Sequence, residues 1–197
     1  VALSISYSSE AIASNLSRLL AIQKEHHDSL PEFVMDMLVD TSKRRVEAII
    51  DQHYLDGLPN YVGDKEWKCL AEALYFEARG ESVIGQFAVA EVIINRANSN
   101  RFPNTICGVV NQGTNKSRYR CQFTYICDGL YERVDDKISF SRVSKIARMT
   151  LWEVNINLTK GALYYHANSV NPSWAKKLVK TGTIGDHKFY SDKAPVD

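Results

Sequence analysis

The stretch that most constrains the fold is residues 83–97, which is apolar on nearly every side. At helical spacing it leaves no continuous polar face, so it predicts a helix buried at the centre of a core. It is too short, and too often interrupted by polar residues, to span a membrane. Polar groups on a buried helix need partners. We expect Glu91 and Arg96 to find theirs near each other or on the preceding helix.

The sequence predicts that preceding helix directly upstream. Asp64 is a suitable N-cap, and apolar residues recur at i, i+3, i+4, i+7 and i+11 from Trp67. Gly80 is expected to end the helix in the left-handed conformation. Glu77 lies at the edge of the apolar stripe, neither buried nor free. This position suits a single catalytic acid.

Length and composition restrict the class of protein. A chain of 197 residues with 45% hydrophobic content predicts one folded domain, with or without an appendage, and argues against disorder. A net charge of +1 gives no case for a nucleic-acid partner. We find no signal peptide and no transmembrane run. No motif indicates a cofactor, and no histidine and cysteine spacing indicates a metal site.

Two regions differ in character. Residues 1–62 form an N-terminal extension. Its pattern predicts a helical hairpin that ends at about residue 54, and then a loop over residues 55–63. Residues 63–197 form the main domain. The hairpin either packs against this domain or binds a protein partner, and the sequence leaves both readings open.

Beyond the two central helices, the patterns predict a mixed α+β fold. Alternation over residues 119–127 favours a half-buried strand. Helical spacing returns over residues 138–157. Residues 162–166 and 183–190 read as two further strands. The main domain is therefore expected to be mostly helical with a small antiparallel sheet.

Four cysteines are present, and no two are separated by only two residues, so a zinc ribbon is not indicated. The even count favours disulfides and an oxidising setting, periplasmic or extracellular. Three connectivities are possible. One short loop would join Cys121 to Cys127, and Cys69 with Cys107 would then tie the first helix to the segment after the second.

Several ordered motifs resemble the catalytic domain of the bacterial cell wall hydrolases typified by spore cortex-lytic enzymes. The resemblance covers roughly residues 66–190. Its motifs are Ala-Leu-Tyr-Phe-Glu-Ala-Arg-Gly-Glu at 73–81, Gly-Gln-Phe-Ala-Val-Ala-Glu-Val-Ile-Ile-Asn-Arg at 85–96, Phe-Pro-Asn-Thr-Ile-Cys-Gly-Val-Val at 102–110, Cys-Gln-Phe-Thr at 121–124, Asp-Gly at 128–129, Gly-Ala-Leu-Tyr-Tyr-His at 161–166 and Ile-Gly-Asp-His-Lys-Phe-Tyr at 184–190.

The resemblance implies a lysozyme-like fold in which the sheet walls an active-site groove. It implies cleavage of peptidoglycan glycan strands between N-acetylmuramic acid and N-acetylglucosamine, in the manner of a lytic transglycosylase. The catalytic acid of the motif falls on Glu77. A single carboxyl suffices if burial raises its pKa. The resemblance is compatible with an enzyme encoded by a bacterium or by a phage.

Further candidates surround this acid. A sugar ring of the substrate could stack on Phe76. Its hydroxyl and N-acetyl groups could form hydrogen bonds with Gln122, Tyr164 and His166. Each of these could equally be a satisfied structural residue.

Rival readings name other groups. A hydrolytic muramidase would need a second carboxylate, for which Asp128 and Glu81 are the candidates. We expect Glu81 instead to cap or ion-pair at the helix junction. A metal-dependent amidase would have only His166 and His187 in the main domain, and His187 reads as structural. A wall-binding module without turnover is the remaining alternative.

Overall fold

The computed structural model describes residues 51–114, 121–152 and 157–192. Over these ranges the chain is mostly helical with one small antiparallel sheet, as predicted. None of the helices described is long and apolar enough to cross a membrane. The helices are α1 (Gln52–Gly57), α2 (Lys65–Ala78), α3 (Val83–Ala97), α4 (Ile106–Val110) and α5 (Lys137–Leu151), with 3-10 helices at Thr124–Ile126 and Ser173–Lys177. The strands are β1 (Tyr164–Ala167), β2 (Val179–Ile184) and β3 (His187–Ser191).

Helix α1 packs against α5. Leu55 is fully buried, and its carbonyl accepts a hydrogen bond from Lys145 Nζ at 2.8 Å. Beside it, Arg142 Nε and Asp56 Oδ1 are 2.6 Å apart. The loop predicted from residue 55 is therefore helical in its first residues. Most of the predicted N-terminal hairpin lies outside the described residues, so the domain boundary at residue 62 stays a prediction.

Helix α2 begins where the sequence predicts. The Asp64 carboxylate accepts a hydrogen bond from the Trp67 backbone N–H at 2.9 Å, a cap that contributes about 1 kcal/mol. The Trp67 ring is buried, and its Nε1 donates to the Ser144 carbonyl of α5 at 2.9 Å. This bond fixes the core face of α2 against α5.

The end of α2 differs from expectation. Arg79 keeps right-handed helical angles, and Gly80 has no positive φ. The left-handed stop predicted at Gly80 is therefore wrong. Instead, the Glu81 N–H donates to the Ala78 carbonyl at 2.9 Å, because α3 begins only two residues later and the chain must turn tightly.

Helix α3 occupies the predicted range and is buried along most of its length. Its polar groups bind the segment that leads into β1. Glu91 accepts hydrogen bonds from the backbone N–H groups of Leu158 and Thr159 at 2.8 and 2.9 Å. Arg96 Nε donates to the Leu163 carbonyl at 2.7 Å. Glu91 and Arg96 do not pair with each other, because this segment presents its backbone groups along α3. Arg96 also acts on Glu77 of α2, as one of the two expectations had it.

The sheet has the order β1-β3-β2, with both pairings antiparallel and Tyr164 opposite Tyr190. A single strand was predicted over residues 183–190, which is wrong. The chain reverses at Gly185, whose φ of 54° is a conformation that favours glycine. A Cβ at this residue would also collide with the Glu81 carboxylate. The sheet hairpin is thus held close to the α2–α3 junction.

The strand predicted over residues 119–127 is also wrong. The described part contains a 3-10 helix at Thr124–Ile126, and a disulfide joins Cys121 to Cys127. Their Cα atoms are 6.2 Å apart, whereas an extended strand of this length would span roughly 20 Å. The covalent bond therefore excludes an extended segment, despite the alternating pattern.

The second disulfide joins Cys69 of α2 to Cys107 of α4. These two pairs are the connectivity singled out among the three possible ones, and all four cysteines are bonded. Glu66 strengthens the same junction, since its carboxylate accepts a hydrogen bond from the Cys107 backbone N–H at 3.1 Å. Helix α2, which carries Glu77, is therefore anchored covalently.

Candidate active site

Glu77 lies in the last turn of α2 and is half-buried. Burial raises the pKa of its carboxyl, and the positive charge of Arg96 partly opposes this rise. Over the residues described, the Glu77 carboxylate has neither a hydrogen bond nor an ion pair. A carboxyl that is kept partly from water and free of protein partners can hold a proton and donate it.

Arg96 supplies a buried cation on α3. Its side chain is 2% exposed, and its guanidinium lies 5.4 Å from the Phe102 ring centroid and 5.8 Å from that of Phe123. With its amide oxygen turned towards this group, Gln122 accepts hydrogen bonds from Nη1 and Nη2 at 3.1 and 3.3 Å. The guanidinium is thus fixed, and it places a positive charge close enough to act on Glu77.

Two tyrosines share the electrostatic environment of Glu77. Burial raises the phenol pKa of Tyr165, and the negative charge of Glu77 raises it further. Burial likewise raises the pKa of Tyr125, to which Glu77 also contributes. Both phenols therefore stay neutral hydrogen-bond donors at physiological pH. Neither was predicted. The one available signal was the alternation in β1, which places Tyr165 on the face opposite Tyr164.

Phe76 packs against Tyr125, with ring centroids 4.5 Å apart and nearly parallel planes. Its other neighbour is Tyr75, at 5.0 Å and edge to face. Both Phe76 and Tyr125 are half-buried. The pair therefore presents part of its aromatic surface to solvent beside Glu77, as a stacking platform requires.

The predicted residues of β1 have partners within the chain. The Tyr164 hydroxyl accepts a hydrogen bond from Arg101 Nη2 at 3.1 Å, and its ring lies 6.0 Å from the Arg96 guanidinium. His166 is buried, with Nε2 2.9 Å from the Tyr190 hydroxyl and Nδ1 2.9 Å from the carbonyl of the next residue. Glu77, Gln122 and Tyr164 thus meet around Arg96, whereas both ring nitrogens of His166 are engaged elsewhere.

Glu81 is occupied at the helix junction. Its carboxylate accepts a hydrogen bond from the Asp186 N–H at 3.0 Å and lies 3.2 Å from His187 Nδ1. These are the junction contacts expected for a structural role. Asp128 Oδ1 accepts from the Leu130 N–H at 2.8 Å. Both carboxylates therefore have partners of their own, and a role as second catalytic group stays a prediction for each.

A cleft of about 500 Å³ adjoins the Phe76–Tyr125 pair. Asp128 lines it, whereas Glu77 does not. Among the described residues, no group of three or more histidine, cysteine, aspartate or glutamate side chains could hold a metal ion. The arrangement that the chain does offer is acid–base chemistry at one carboxyl, next to a fixed cation, neutral phenols and an aromatic surface.

A carboxyl whose pKa is raised by burial is the kind of proton donor that glycosidases use. The chain belongs to the Cell Wall Hydrolase family, which matches residues 80–190. The family inferred from the motifs is therefore confirmed. The matched range begins three residues after Glu77, so the role of Glu77 rests on the geometry of the site.

Two curated relatives are spore cortex-lytic enzymes. That of Bacillus subtilis is 32% identical over 136 residues, which are 67% of this chain and 39% of that protein. That of Bacillus cereus is 31% identical over 133 residues, which are 67% of this chain and 46% of that protein. The chain therefore spans less than half the length of these relatives.

A solved structure shows the same fold. The catalytic domain of the germination-specific lytic transglycosylase SleB from Bacillus anthracis superposes with a TM-score of 0.50 and 30% identity. The alignment covers 68% of this chain and 100% of that domain. The fold class expected for the main domain is thereby confirmed.

Proposed function

We propose that this protein cleaves the glycan strands of peptidoglycan between N-acetylmuramic acid and N-acetylglucosamine, as a lytic transglycosylase with Glu77 as its acid and base. The observation that carries the proposal is the state of the Glu77 carboxyl: half-buried, raised in pKa and without a partner in the described chain. The Bacillus anthracis domain that shares this fold is itself a lytic transglycosylase, which supports the same activity here.

In the first step, protonated Glu77 gives its proton to the glycosidic oxygen. The bond between that oxygen and C1 of N-acetylmuramic acid breaks, and C1 takes on oxocarbenium character. The sugar on the other side leaves with a free hydroxyl, and Glu77 becomes a carboxylate. The raised pKa favours this step because the carboxyl keeps its proton until the reaction begins.

In the second step, the Glu77 carboxylate takes the proton from the C6 hydroxyl of the same muramic acid. The C6 oxygen then bonds to C1 and closes a 1,6-anhydro ring. Glu77 regains its proton, and no water enters the product. One carboxyl therefore completes the cycle, which agrees with the other engagements found for Glu81 and Asp128.

Neighbouring groups support both steps. The fixed charge of Arg96 stabilises the Glu77 carboxylate that exists between them. The neutral phenols of Tyr165 and Tyr125 can donate hydrogen bonds to sugar oxygens. Phe76 offers its ring to the apolar face of a sugar, stacked on Tyr125.

The setting of the enzyme follows from its covalent chemistry and substrate. We infer a periplasmic or secreted protein, because two disulfides persist in oxidising compartments and peptidoglycan lies outside the cytoplasm.

A protein partner for residues 1–62 is part of the same proposal. Pull-down of wall-associated proteins with the full chain and with residues 51–197 tests that partner.

Product analysis tests the reaction type. Purified sacculi are digested with the protein, and the soluble fragments are analysed by mass spectrometry. Anhydromuramic ends support the proposal. Reducing muramic ends, heavier by one water, indicate a muramidase, and release of free peptides indicates an amidase. Asp128→Asn serves as a control, because it should retain cleavage by a single-carboxyl mechanism.

A further inference from the structure

The cleft beside the active site has no assigned role. It encloses about 500 Å³, within the range of roughly 300–1,000 Å³ typical of ligand sites. Its walls include the stacked rings of Phe76 and Tyr125, the side chain of Arg79 and the segment 128–136. Phe76 directly precedes Glu77, and the Glu77 charge acts on Tyr125. The cleft therefore borders the place where the glycan is cut.

Most charged side chains of this cleft are engaged. Arg133 Nη2 and Asp135 Oδ1 are 3.2 Å apart. Asp136 caps α5 by accepting hydrogen bonds from two backbone N–H groups. Two exposed side chains of opposite sign, Arg79 and Glu132, have no ion pair to any residue described. The Arg79 charge also lowers the pKa of the Asp136 carboxyl. The Arg79 guanidinium lies 4.7 Å from the ring centroid of Tyr75 in the cleft wall. This cation–π contact orients the guanidinium.

These features favour one part of the substrate. A glycan strand without stems carries the lactyl carboxylates of its muramic acids but no positive charge, so it would leave the Glu132 carboxylate unmatched. The peptide stem on N-acetylmuramic acid carries carboxylates and, at its diamino acid, an ammonium group. A guanidinium binds a carboxylate through two parallel hydrogen bonds. Glu132 is placed to attract the ammonium group, and the aromatic walls suit the aliphatic parts of the peptide.

We propose that this cleft binds the peptide stem of the muramic acid at the cleavage site, with Arg79 holding a stem carboxylate. The inference rests on the proposed function. It makes the enzyme selective for glycan that still carries stems, and it makes Arg79 a determinant of substrate selectivity.

The experiment compares two substrates prepared from the same sacculi. One is solubilised strands with stems, and the other is strands stripped of stems by an amidase, with the lactyl carboxylates that this exposes blocked as amides. We expect wild-type kcat/KM to be about tenfold higher for the strands with stems, as one charge-assisted contact would give. Arg79→Gln should bring this ratio close to one. Lys176→Gln, which removes an exposed charge outside the cleft, should keep the wild-type ratio. Thermal melting verifies that each variant is folded.

A second measurement does not depend on turnover. Binding of the free stem peptide to the Glu77→Gln protein is measured by calorimetry, with and without Arg79→Gln. Saturable binding that Arg79→Gln weakens about tenfold supports the cleft, even if no glycan is cut and the proposed function fails. Equal cleavage of both substrates, preference for stripped strands, or a ratio that Arg79→Gln leaves intact would overturn the inference.

Discussion

The two disulfides should differ in how much they add to the free energy of unfolding, and this difference can be calculated. Cys69 and Cys107 are 38 residues apart, so cross-linking them removes about 4 kcal/mol of loop-closure entropy from the unfolded chain. Cys121 and Cys127 are 6 residues apart, for which the same relation gives about 2 kcal/mol. The longer loop thus carries about twice the stabilisation.

The perturbation is paired replacement by alanine, first of Cys69 with Cys107, then of Cys121 with Cys127. Urea unfolding under oxidising conditions gives the free energy of unfolding of each variant, and cleavage of sacculi gives the activity. We expect the first variant to lose more stability. The second should lose more activity relative to its stability, because its loop holds Tyr125 beside Glu77. Equal stability losses, or a larger loss in the second variant, would refute this reasoning.

Three further outcomes follow from the geometry. Burial raises the folded-state pKa of Glu77, so the stability linked to its protonated form is fully present below about pH 4.3 and is lost as pH rises through the raised value. Glu77→Gln should therefore raise the melting temperature at alkaline pH more than at acidic pH; the same gain at both would contradict the shift. Wild-type cleavage should decline as pH rises through that pKa, measured as a pH–rate profile, and a flat profile would argue against an acid. Gly185→Ala should lower the free energy of unfolding by about 1–2 kcal/mol in denaturant, because residue 185 has a positive φ. The loss is larger if the new Cβ displaces the Glu81 carboxylate. Gly182→Ala, where a Cβ meets open space, is the matched control.

Helices α2 and α3 were predictable because their signals are local. An N-cap at Asp64 and apolar spacing set the start and the buried face of α2, and the all-round apolar pattern gave both ends of α3. The strand at residues 119–127 failed for the opposite reason. Its alternation is local, but its shape is imposed by a covalent bond between Cys121 and Cys127, whose pairing the sequence leaves open.

The choice of Glu77 as the candidate acid came from a motif. Its place at the rim of the apolar stripe pointed to the same residue, and its catalytic role stays a prediction. The surroundings of Glu77 could not be predicted in this way, because Arg96 and Tyr165 come close to it through packing between segments far apart in the chain. His166 shows the same limit. A polar residue on a strand looks alike in sequence whether it faces substrate or hydrogen-bonds to Tyr190, as it does here.

The most direct test of the account is the removal of one proton donor. Purified sacculi are incubated with wild-type protein and with Glu77→Gln, and released muropeptides are quantified while melting curves verify the fold. If Glu77 is the acid, release falls by at least about a hundredfold while cooperative unfolding is retained. Release by a folded Glu77→Gln protein at the wild-type rate would contradict it.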